Sequence, residues 1–313
     1  MTTLPTWGLV ATIKAPAEDV LRFAAYHLEA GAHRLRLYLD APCPEAQAVL
    51  AKHPKIQATL CDADHWKRLN GGRPPMHQPR QTINATHAYS AETELDWLIH
   101  MDVDEFLVSD APVAQHLANL PSGTLTARAR PMELLAGGTG AFKRFIPAGP
   151  DRERLVAELY PTFGEHLKGG FLSHLAGKIF LRTGLSRVKL RIHNAFQDGE
   201  MNPAQVDLAA VDLAHCHAPT WDAWQASFRY RLEKGSYRAD LGPARARKLG
   251  GITMHELFHA IEADAGPAGL RTFYDEVCAD SPALRVRLEQ RGLLHLVDLD
   301  LDAARMHQFP VIP

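Results

Sequence analysis

The stretch Trp97-Leu-Ile-His-Met-Asp102-Val-Asp104-Glu105-Phe-Leu-Val108 is an apolar run that three carboxylates interrupt before it resumes. Side chains two residues apart point to the same side of an extended backbone. Asp102 and Asp104 can therefore face one hard cation, such as Mg²⁺ or Mn²⁺. A solvated turn after a strand is the alternative, but it would leave like charges together beside a buried strand without a counter-ion.

The residues before this stretch alternate apolar runs with segments of helical period. The pattern predicts strands at 7–13, 35–39, 56–61 and 97–101, and helices at 17–30, 45–52 and 78–91. Such alternation is typical of a mostly parallel sheet flanked by helices, in which ligands bind at the carboxyl ends of the strands. Asp40, Asp62 and Asp102 each follow a strand. We therefore expect an α/β fold with these aspartates in its binding crevice, although Asp40 and Asp62 would also suit simple turn caps.

The chain beyond Gly123 is less regular. A strand is predicted at 124–131, a hairpin of 178–182 with 188–193 around Gly184, and helices at 221–237 and 254–291. We predict a catalytic domain over 1–218 and a helical carboxy-terminal extension over 219–313.

The bulk composition restricts the class of protein. A formal net charge of −2 over 313 residues argues against a nucleic-acid binder. The four cysteines form no CxxC pair, and no apolar stretch approaches the roughly 20 residues of a membrane span. The amino terminus lacks the pattern of a signal peptide. We expect a cytoplasmic protein, and peripheral contact with the inner face of the membrane stays open.

The run Asp102-Val-Asp104-Glu105-Phe106 resembles the D-x-D-E-F motif of family-2-type glycosyltransferases with the GT-A fold, bacterial members in particular. Further segments resemble elements of that family in the same order, over roughly residues 6–235: Gly31–Asp40, Arg80-Gln81 with Asn84, Gly177–Arg182, Ile192-His193-Asn194, and Leu213–His215 ahead of Trp221–Arg231. The chain departs from the family after Asp40, where Ala41-Pro42-Cys43-Pro44 replaces a small polar turn.

The resemblance implies a GT-A-like fold and a metal-dependent, inverting transfer of a hexosyl unit in polysaccharide biosynthesis. The donor would be a UDP- or GDP-linked sugar, the acceptor a glycan or a lipid-linked molecule, and the cofactor Mn²⁺ or Mg²⁺. Asp104 would bind the metal directly, Asp102 would hold the ribose or a metal-bound water, and Glu105 would orient the loop. His193 or His215 would be a further ligand, with His217 able to replace His215.

The donor-binding set implied by the resemblance is Asp40, Asp62, Arg80, Gln81, Asn84, Asp102, Lys178 and Arg182. Lys178 and Arg182 would pair with phosphate, or else are solvated strand residues. The histidines are equally consistent with hydrogen-bonded core groups.

An inverting transfer also needs a general base for the acceptor hydroxyl. Glu133, Glu165 and Asp198 lie in the irregular stretches of the chain. Glu165 is preferred, because Gly164 and Gly169-Gly170 beside it are typical of a closing loop.

A competing motif is His255-Glu256-Leu-Phe-His259, which matches the H-E-x-x-H of zinc metallopeptidases. The basic stretch before it, 245–251, does not have the pattern of the edge strand that a peptidase needs to hold its substrate. A phosphatase of the dehalogenase type is disfavoured by Phe106, which stands where that motif needs Thr or Val. A non-catalytic nucleotide-sugar-binding relative of the transferases is a further alternative.

The aromatic and basic segment Trp221–Arg231 has two interpretations. It packs on the core, or it contacts an anionic acceptor or a membrane surface.

Overall fold

The computed structural model describes residues 3–310. Its strands are β1 (Trp7–Ile13), β2 (Arg34–Leu39), β3 (Ile56–Leu60), β4 (Trp97–His100), β5 (Glu105–Ser109), β6 (Thr126–Leu134), β7 (Ala141–Lys143), β8 (Lys178–Arg182), β9 (Val188–Leu190), β10 (Ala195–Gln197), β11 (Glu200–Met201), β12 (Gln205–His215) and β13 (Leu294–Leu296). Its α-helices are α1 (Ala17–Glu29), α2 (Pro44–Leu50), α3 (Ala63–Asn70), α4 (His77–Ser90), α5 (Val113–Ala118), α6 (Arg152–Leu159), α7 (Trp221–Lys234), α8 (Met254–Val277), α9 (Pro282–Gln290) and α10 (Leu301–Gln308).

By the contacts among their residues, these elements form two compact units. The first unit comprises the chain up to Arg130, the segment Ala176–Leu213 and the residues from Leu299 onward. The second unit comprises Pro131–Leu175 and Ala214–Asp298. Both units are therefore discontinuous in sequence, whereas the predicted domains, 1–218 and 219–313, are each continuous. A functional boundary near 218 stays a prediction.

The sheet of the first unit has the order β6-β8-β4-β1-β2-β3, and β12 pairs with β5 and β6. The pairs β1–β2, β2–β3 and β1–β4 are parallel, whereas β8 runs antiparallel to both β4 and β6. β1 lies at the centre of the parallel part because nearly all of its side chains are apolar and buried. A Cβ at Gly8 would overlap the Arg34 carbonyl of β2, so the close approach of these strands requires glycine. The predicted α/β class, with a mostly parallel central sheet and flanking helices, is confirmed.

The predicted hairpin between 178–182 and 188–193 is wrong. β8 lies between β4 and β6, while β9 pairs with β10 in a separate three-stranded sheet. The physical reason is burial: the first four side chains of β8 are buried, so the strand needs a neighbour on each side. A hairpin would have left one of its edges unpaired.

Helices cover the sheet of the first unit. α1 begins with the acidic residues Glu18 and Asp19 and is followed by Gly31 at φ 90°, a left-handed conformation that ends the helix as the sequence predicts. α10 packs against α1, with ion pairs from Arg22 to Asp302 and from Arg305 to Glu18. The last helix of the chain therefore belongs to the first unit and not to the helical group that precedes it.

The second unit has an aromatic core. Trp224 and Phe228 of α7 pack against Phe258 and Phe273 of α8, and Tyr237 lies against Phe258. Core packing is thus the observed role of the apolar side of the Trp221–Arg231 segment, while Arg229 and Tyr230 are exposed. Within residues 3–310, no helix has both the length and the apolar character needed to cross a membrane.

The H-E-x-x-H segment forms the start of α8. Thr253 Oγ1 accepts a hydrogen bond from the Glu256 N–H, and the Glu256 carboxylate accepts one from the Thr253 N–H, which is a capping box. Those hydrogen bonds, together with Arg247, lower the pKa of Glu256 to about 2. A carboxylate with so low a pKa is a weak base, so helix capping accounts for the glutamate of the motif.

We expect Thr253→Ala to lower the free energy of unfolding by about 1 kcal/mol, because the first turn of α8 loses its side-chain acceptor. Thr272→Ala is the matched control, since Thr272 is exposed within the same helix; its effect should stay within about 0.5 kcal/mol. Urea unfolding followed by circular dichroism measures both values. Equal losses in the two variants would contradict the capping role.

Candidate functional site

The carboxyl ends of the parallel strands position the aspartates that the sequence singles out. β4 ends at His100, and the loop to β5 carries Asp102 and Asp104. The Asp102 N–H donates a hydrogen bond to Glu105 Oε2 at 2.8 Å, which folds the loop back on the start of β5. Asp102 and Asp104 are partly exposed, whereas Glu105 is fully buried.

A buried lysine neutralises this loop. Lys178 Nζ lies 2.7 Å from Asp102 Oδ2 and 3.2 Å from Glu105 Oε2, and the lysine side chain has no exposure to solvent. Lys178 reaches this point because β8 runs antiparallel to β4 and begins where β4 ends. A single ammonium group shared by two carboxylates stabilises both, because the attraction is strong where water is excluded.

The same charges set the protonation of the neighbouring groups. Burial raises the pKa of Asp102, but the Lys178 ammonium and His100 outweigh it and hold that pKa below its usual range. Burial lowers the pKa of Lys178, and the two carboxylates more than reverse that effect. Burial and the Lys178 charge together lower the pKa of His100 and of His193 to about 3. At pH 7 both histidines are therefore neutral.

Three residues of α4 belong to the predicted donor-binding set, and they have different partners. Gln81 donates through Nε2 to Asp102 Oδ1. Asn84 is fully buried and bonds to His65 Nε2 at 2.8 Å and to Thr12 Oγ1 at 3.1 Å, so it joins α4 to α3 and β1. Of these two residues, Gln81 positions the aspartate loop and Asn84 supports the core.

The third of these residues, Arg80, lies beside Asp40. Arg80 Nε is 2.9 Å from Asp40 Oδ2, and Arg73 Nη2 is 2.9 Å from Asp40 Oδ1. Arg80 is largely buried and also donates to the carbonyls of Pro74 and Pro75. Half of the Arg73 side chain remains exposed.

A cavity of about 320 Å³ lies at the ends of β2 and β3. It is lined by Asp40, Ala41, Pro42, Leu60, Cys61, Asp62, Ala63, Trp66 and Arg73. Its volume is at the lower end of the range for small-molecule sites. Asp62 Oδ1 accepts the His65 N–H at 2.8 Å, so Asp62 caps α3 as the turn-cap alternative predicts. Asp62 also lines the cavity.

The strand register places Lys178 and Arg182, both predicted to pair with phosphate, far from each other. Arg182 lies opposite Trp97, the first residue of β4, whereas Lys178 lies near the carboxyl end of that strand. Four residues of extended chain separate them by about 13 Å. The Arg182 guanidinium stacks 4.4 Å from the Trp97 ring, at the opposite edge of the sheet from Asp102.

The histidines predicted as metal ligands fall in different units. His193, in the first unit, donates through Nδ1 to the Gly177 carbonyl at 3.1 Å, which leaves the lone pair on Nε2. A neutral imidazole held in this way has the form in which histidine binds metals. His215, in the second unit, is buried with its ring 5.7 Å from His174 and 5.2 Å from His217. Its role as a ligand stays a prediction.

The predicted bases also differ in their surroundings. Glu133 is buried, pairs with Lys143 at 3.1 Å, and accepts the N–H groups of Leu172 and Ser173. Asp198 forms a surface ion pair with Arg187 beside the turn between β10 and β11. Glu165 is more than half exposed, lies 3.2 Å from Arg245, and lines a cavity of the second unit.

Several residues of these sites were not identified from the sequence. Arg73 and Trp66 line the cavity at the ends of β2 and β3, and Lys143 donates hydrogen bonds to both Glu133 and the Tyr160 hydroxyl. A charged residue in an otherwise apolar strand, as in Ala141-Phe-Lys143, was the available signal for the buried Lys143. Nothing local marks Arg73 or Trp66, because their partners are distant in sequence.

No family model matches the chain, and neither does any curated protein. Among solved structures, the chain is similar to HddC from Yersinia pseudotuberculosis, with 10% sequence identity and a TM-score of 0.37. The superposition covers 72% of this chain and 99% of HddC. A likeness at this level carries no functional argument, so a function has to be inferred from the residues of this chain.

We expect Lys178→Met to lower the free energy of unfolding at pH 7 by about 3–5 kcal/mol, because the buried Glu105 and the partly exposed Asp102 lose their shared counter-ion. Without that counter-ion, the folded-state pKa of these carboxylates lies above the unfolded value. The free-energy cost of holding these carboxylates ionised in the folded protein is then present above the pKa of the unfolded state. That cost decreases as the pH falls, because the carboxylates become protonated. The stability deficit of the variant should therefore be smaller at pH 5 than at pH 7.

Lys189→Met is the matched control, since Lys189 is exposed on β9 of the same unit. Its effect should stay within about 0.5 kcal/mol at both pH values. Urea unfolding at pH 7 and pH 5 measures all three proteins. A Lys178→Met deficit that does not change with pH would show that the loss arises from packing and not from charge.

Proposed function

We propose that the first unit binds a nucleotide-sugar donor and that the protein is a metal-dependent, inverting glycosyltransferase. One observation supports this most: the cavity at the ends of β2 and β3 and the Asp102–Asp104 loop lie at the same edge of the parallel strands. In the sheet, β1 alone separates β2 from β4, so the ends of these two strands are about 10 Å apart. A nucleoside diphosphate is long enough to extend from one to the other.

The cavity has features that suit a nucleoside. Leu60 and Pro42 offer apolar surface for a base, and the carboxylates of Asp40 and Asp62 would accept hydrogen bonds from ribose hydroxyls. Arg73 is the exposed cation of the cavity. We propose Arg73 for the phosphate contact, in place of Lys178 and Arg182, whose charged groups face other partners.

The donor groups of the loop fit a hard divalent cation. Asp104 is partly exposed and would bind Mn²⁺ or Mg²⁺ directly. The Asp102 oxygens already accept hydrogen bonds from Gln81 and Lys178, so Asp102 is proposed to hold a metal-bound water or the ribose. Neutral His193 is a further proposed ligand. The bound cation would neutralise the charge that develops on the diphosphate leaving group.

An inverting transfer moves a proton from the acceptor hydroxyl to a base while the acceptor oxygen bonds to the sugar and the nucleoside diphosphate leaves. Glu165 is the base that we retain from the three predicted residues, because it is exposed and lines a cavity. Glu133 is buried against Lys143, and Asp198 pairs with Arg187 at a turn that lines none of the described cavities. We therefore propose no catalytic role for either residue, whereas Glu165, although 3.2 Å from Arg245, is more than half exposed. A glycan or a lipid-linked molecule remains the expected acceptor.

We expect UDP or GDP to raise the melting temperature, and to raise it further with Mn²⁺. In Asp104→Asn the Mn²⁺-dependent part of that shift should disappear, because the metal loses a charged ligand. Donor hydrolysis or sugar transfer should fall by at least about 10²-fold. Thermal-shift assays with and without Mn²⁺, and release of nucleoside diphosphate from UDP- and GDP-sugars, measure the two effects.

Asp110→Asn is the matched control, because Asp110 is an exposed aspartate just beyond β5. It should behave as the unaltered protein does. A nucleotide shift that is the same in EDTA and in Mn²⁺ would contradict the proposed metal dependence. Metal-dependent nucleotide binding with no turnover of any donor would instead favour a non-catalytic nucleotide-sugar-binding protein.

A further inference from the structure

The largest cavity described in the second unit has no part in the proposed donor site. It encloses about 630 Å³ beside helix α6. Its walls come from three segments of the unit, residues 152–169, Leu175, and Ala244-Arg245. The volume lies within the range of sites that enclose a small organic molecule and is far larger than a simple inorganic anion requires.

The charges on its walls are predominantly positive. Arg152, Arg154, Lys168 and Arg245 line the cavity against the carboxylates of Glu153 and Glu165. Arg154 is paired along its own helix with Asp151 and Glu158. Arg152, Lys168 and Arg245 bring further positive charge to the cavity from two of these segments, and Arg245 also lies 3.2 Å from Glu165.

Arg152 is held in place by its surroundings. Its guanidinium lies 5.4 Å from the centre of the Phe145 ring, and its Nε and Nη2 atoms are shielded from solvent. Gly169 approaches it closely at φ 58°, and a Cβ there would lie 2.5 Å from Arg152 Nη2. The left-handed backbone therefore favours glycine at position 169, and a side chain there would displace the end of the Arg152 side chain. An arginine fixed in this way loses little side-chain entropy when it binds an anion.

We propose that this cavity binds a phosphorylated saccharide or polyol, and that Arg152 is the main phosphate contact. A phosphate group presents three oxygens and a charge near −2, so it can meet three converging cations, whereas a carboxylate presents two oxygens and one charge. Val156, Ala157 and Pro161 supply apolar wall for the carbon skeleton. Thr162 supplies a polar group for a hydroxyl. The proposal does not depend on the donor site in the first unit.

The test is calorimetric titration of the full chain with glucose 1-phosphate, glucose, inorganic phosphate and glucuronate, without nucleotide or added metal. Glucose 1-phosphate should bind more tightly than inorganic phosphate and glucuronate, and glucose should show no binding. Arg152→Gln should weaken glucose 1-phosphate binding at least about tenfold, the loss expected for one charge-assisted contact. Glucose binding as tightly as its phosphate, or glucuronate as tightly as glucose 1-phosphate, would overturn the proposal.

Two further variants keep the test decisive if Arg152→Gln does not fold. Arg245→Gln alters a partly exposed side chain and should also weaken binding. Arg229→Gln is the matched control, because Arg229 is exposed and pairs with Glu262 outside the cavity; it should bind as the unaltered protein does. Unchanged affinity in both cavity variants would overturn the proposal.

Vesicles that contain phosphatidylinositol 4-phosphate, whose headgroup carries a phosphate monoester, identify the source of the phosphate. Sedimentation with these vesicles, lost in Arg245→Gln and absent with phosphatidylcholine, would assign the cavity to a lipid headgroup that carries a phosphorylated polyol. Binding of glucose 1-phosphate without sedimentation would assign it to a soluble ligand. Absence of both kinds of binding would overturn the proposal.

Discussion

The ammonium group of Lys178, buried between Asp102 and Glu105, is the interaction on which the candidate donor site depends. It has no exposure to solvent, so its removal would leave two carboxylates in a poorly solvated place, at a cost of several kcal/mol. The parallel strands bring β4 to the edge where ligands bind, and antiparallel β8 brings the lysine to the same edge. The fold thus positions a charged loop that would not be stable by itself.

The carboxylates of the candidate sites form two groups, those that are paired with a buried lysine and those that are partly exposed. Asp102 and Glu105 are bound to Lys178, and Glu133 is bound in the same way to Lys143 in the second unit. A carboxylate whose oxygens already accept several hydrogen bonds has little basicity left for proton transfer. Partly exposed carboxylates such as Asp104 and Glu165 are therefore better placed to meet a metal or a substrate. Burial and pairing, and not the acidic character alone, distinguish structural from reactive residues.

The sequence predicts the four strands and three of the four helices of the first hundred residues, because hydrophobic periodicity is a local signal, but it misses α3. It fails where pairing is long-range. The β8–β9 hairpin was wrong because burial on both sides of β8 is not visible in its five residues. The resemblance implied phosphate roles for both Lys178 and Arg182, whereas antiparallel pairing places the two side chains at opposite ends of β4. Arg73, joined to Asp40 across 33 residues, had no local signal at all.

The H-E-x-x-H segment shows why a short motif needs its structural context. Thr253-x-x-Glu256 is the pattern of a capping box, and it shares Glu256 with the H-E-x-x-H motif. In the structure, Glu256 forms the hydrogen bonds of the capping box. A catalytic glutamate must take up a proton near neutral pH, whereas hydrogen bonds from Thr253 and Arg247 lower the pKa of Glu256 to about 2. By the same reasoning Asp102 has little basicity, because Lys178 and His100 hold its pKa below the usual range, while the pKa of Lys178 is raised in turn. Their altered pKa values arise from a buried cluster at a strand end, where a fixed charge can act on a bound ligand.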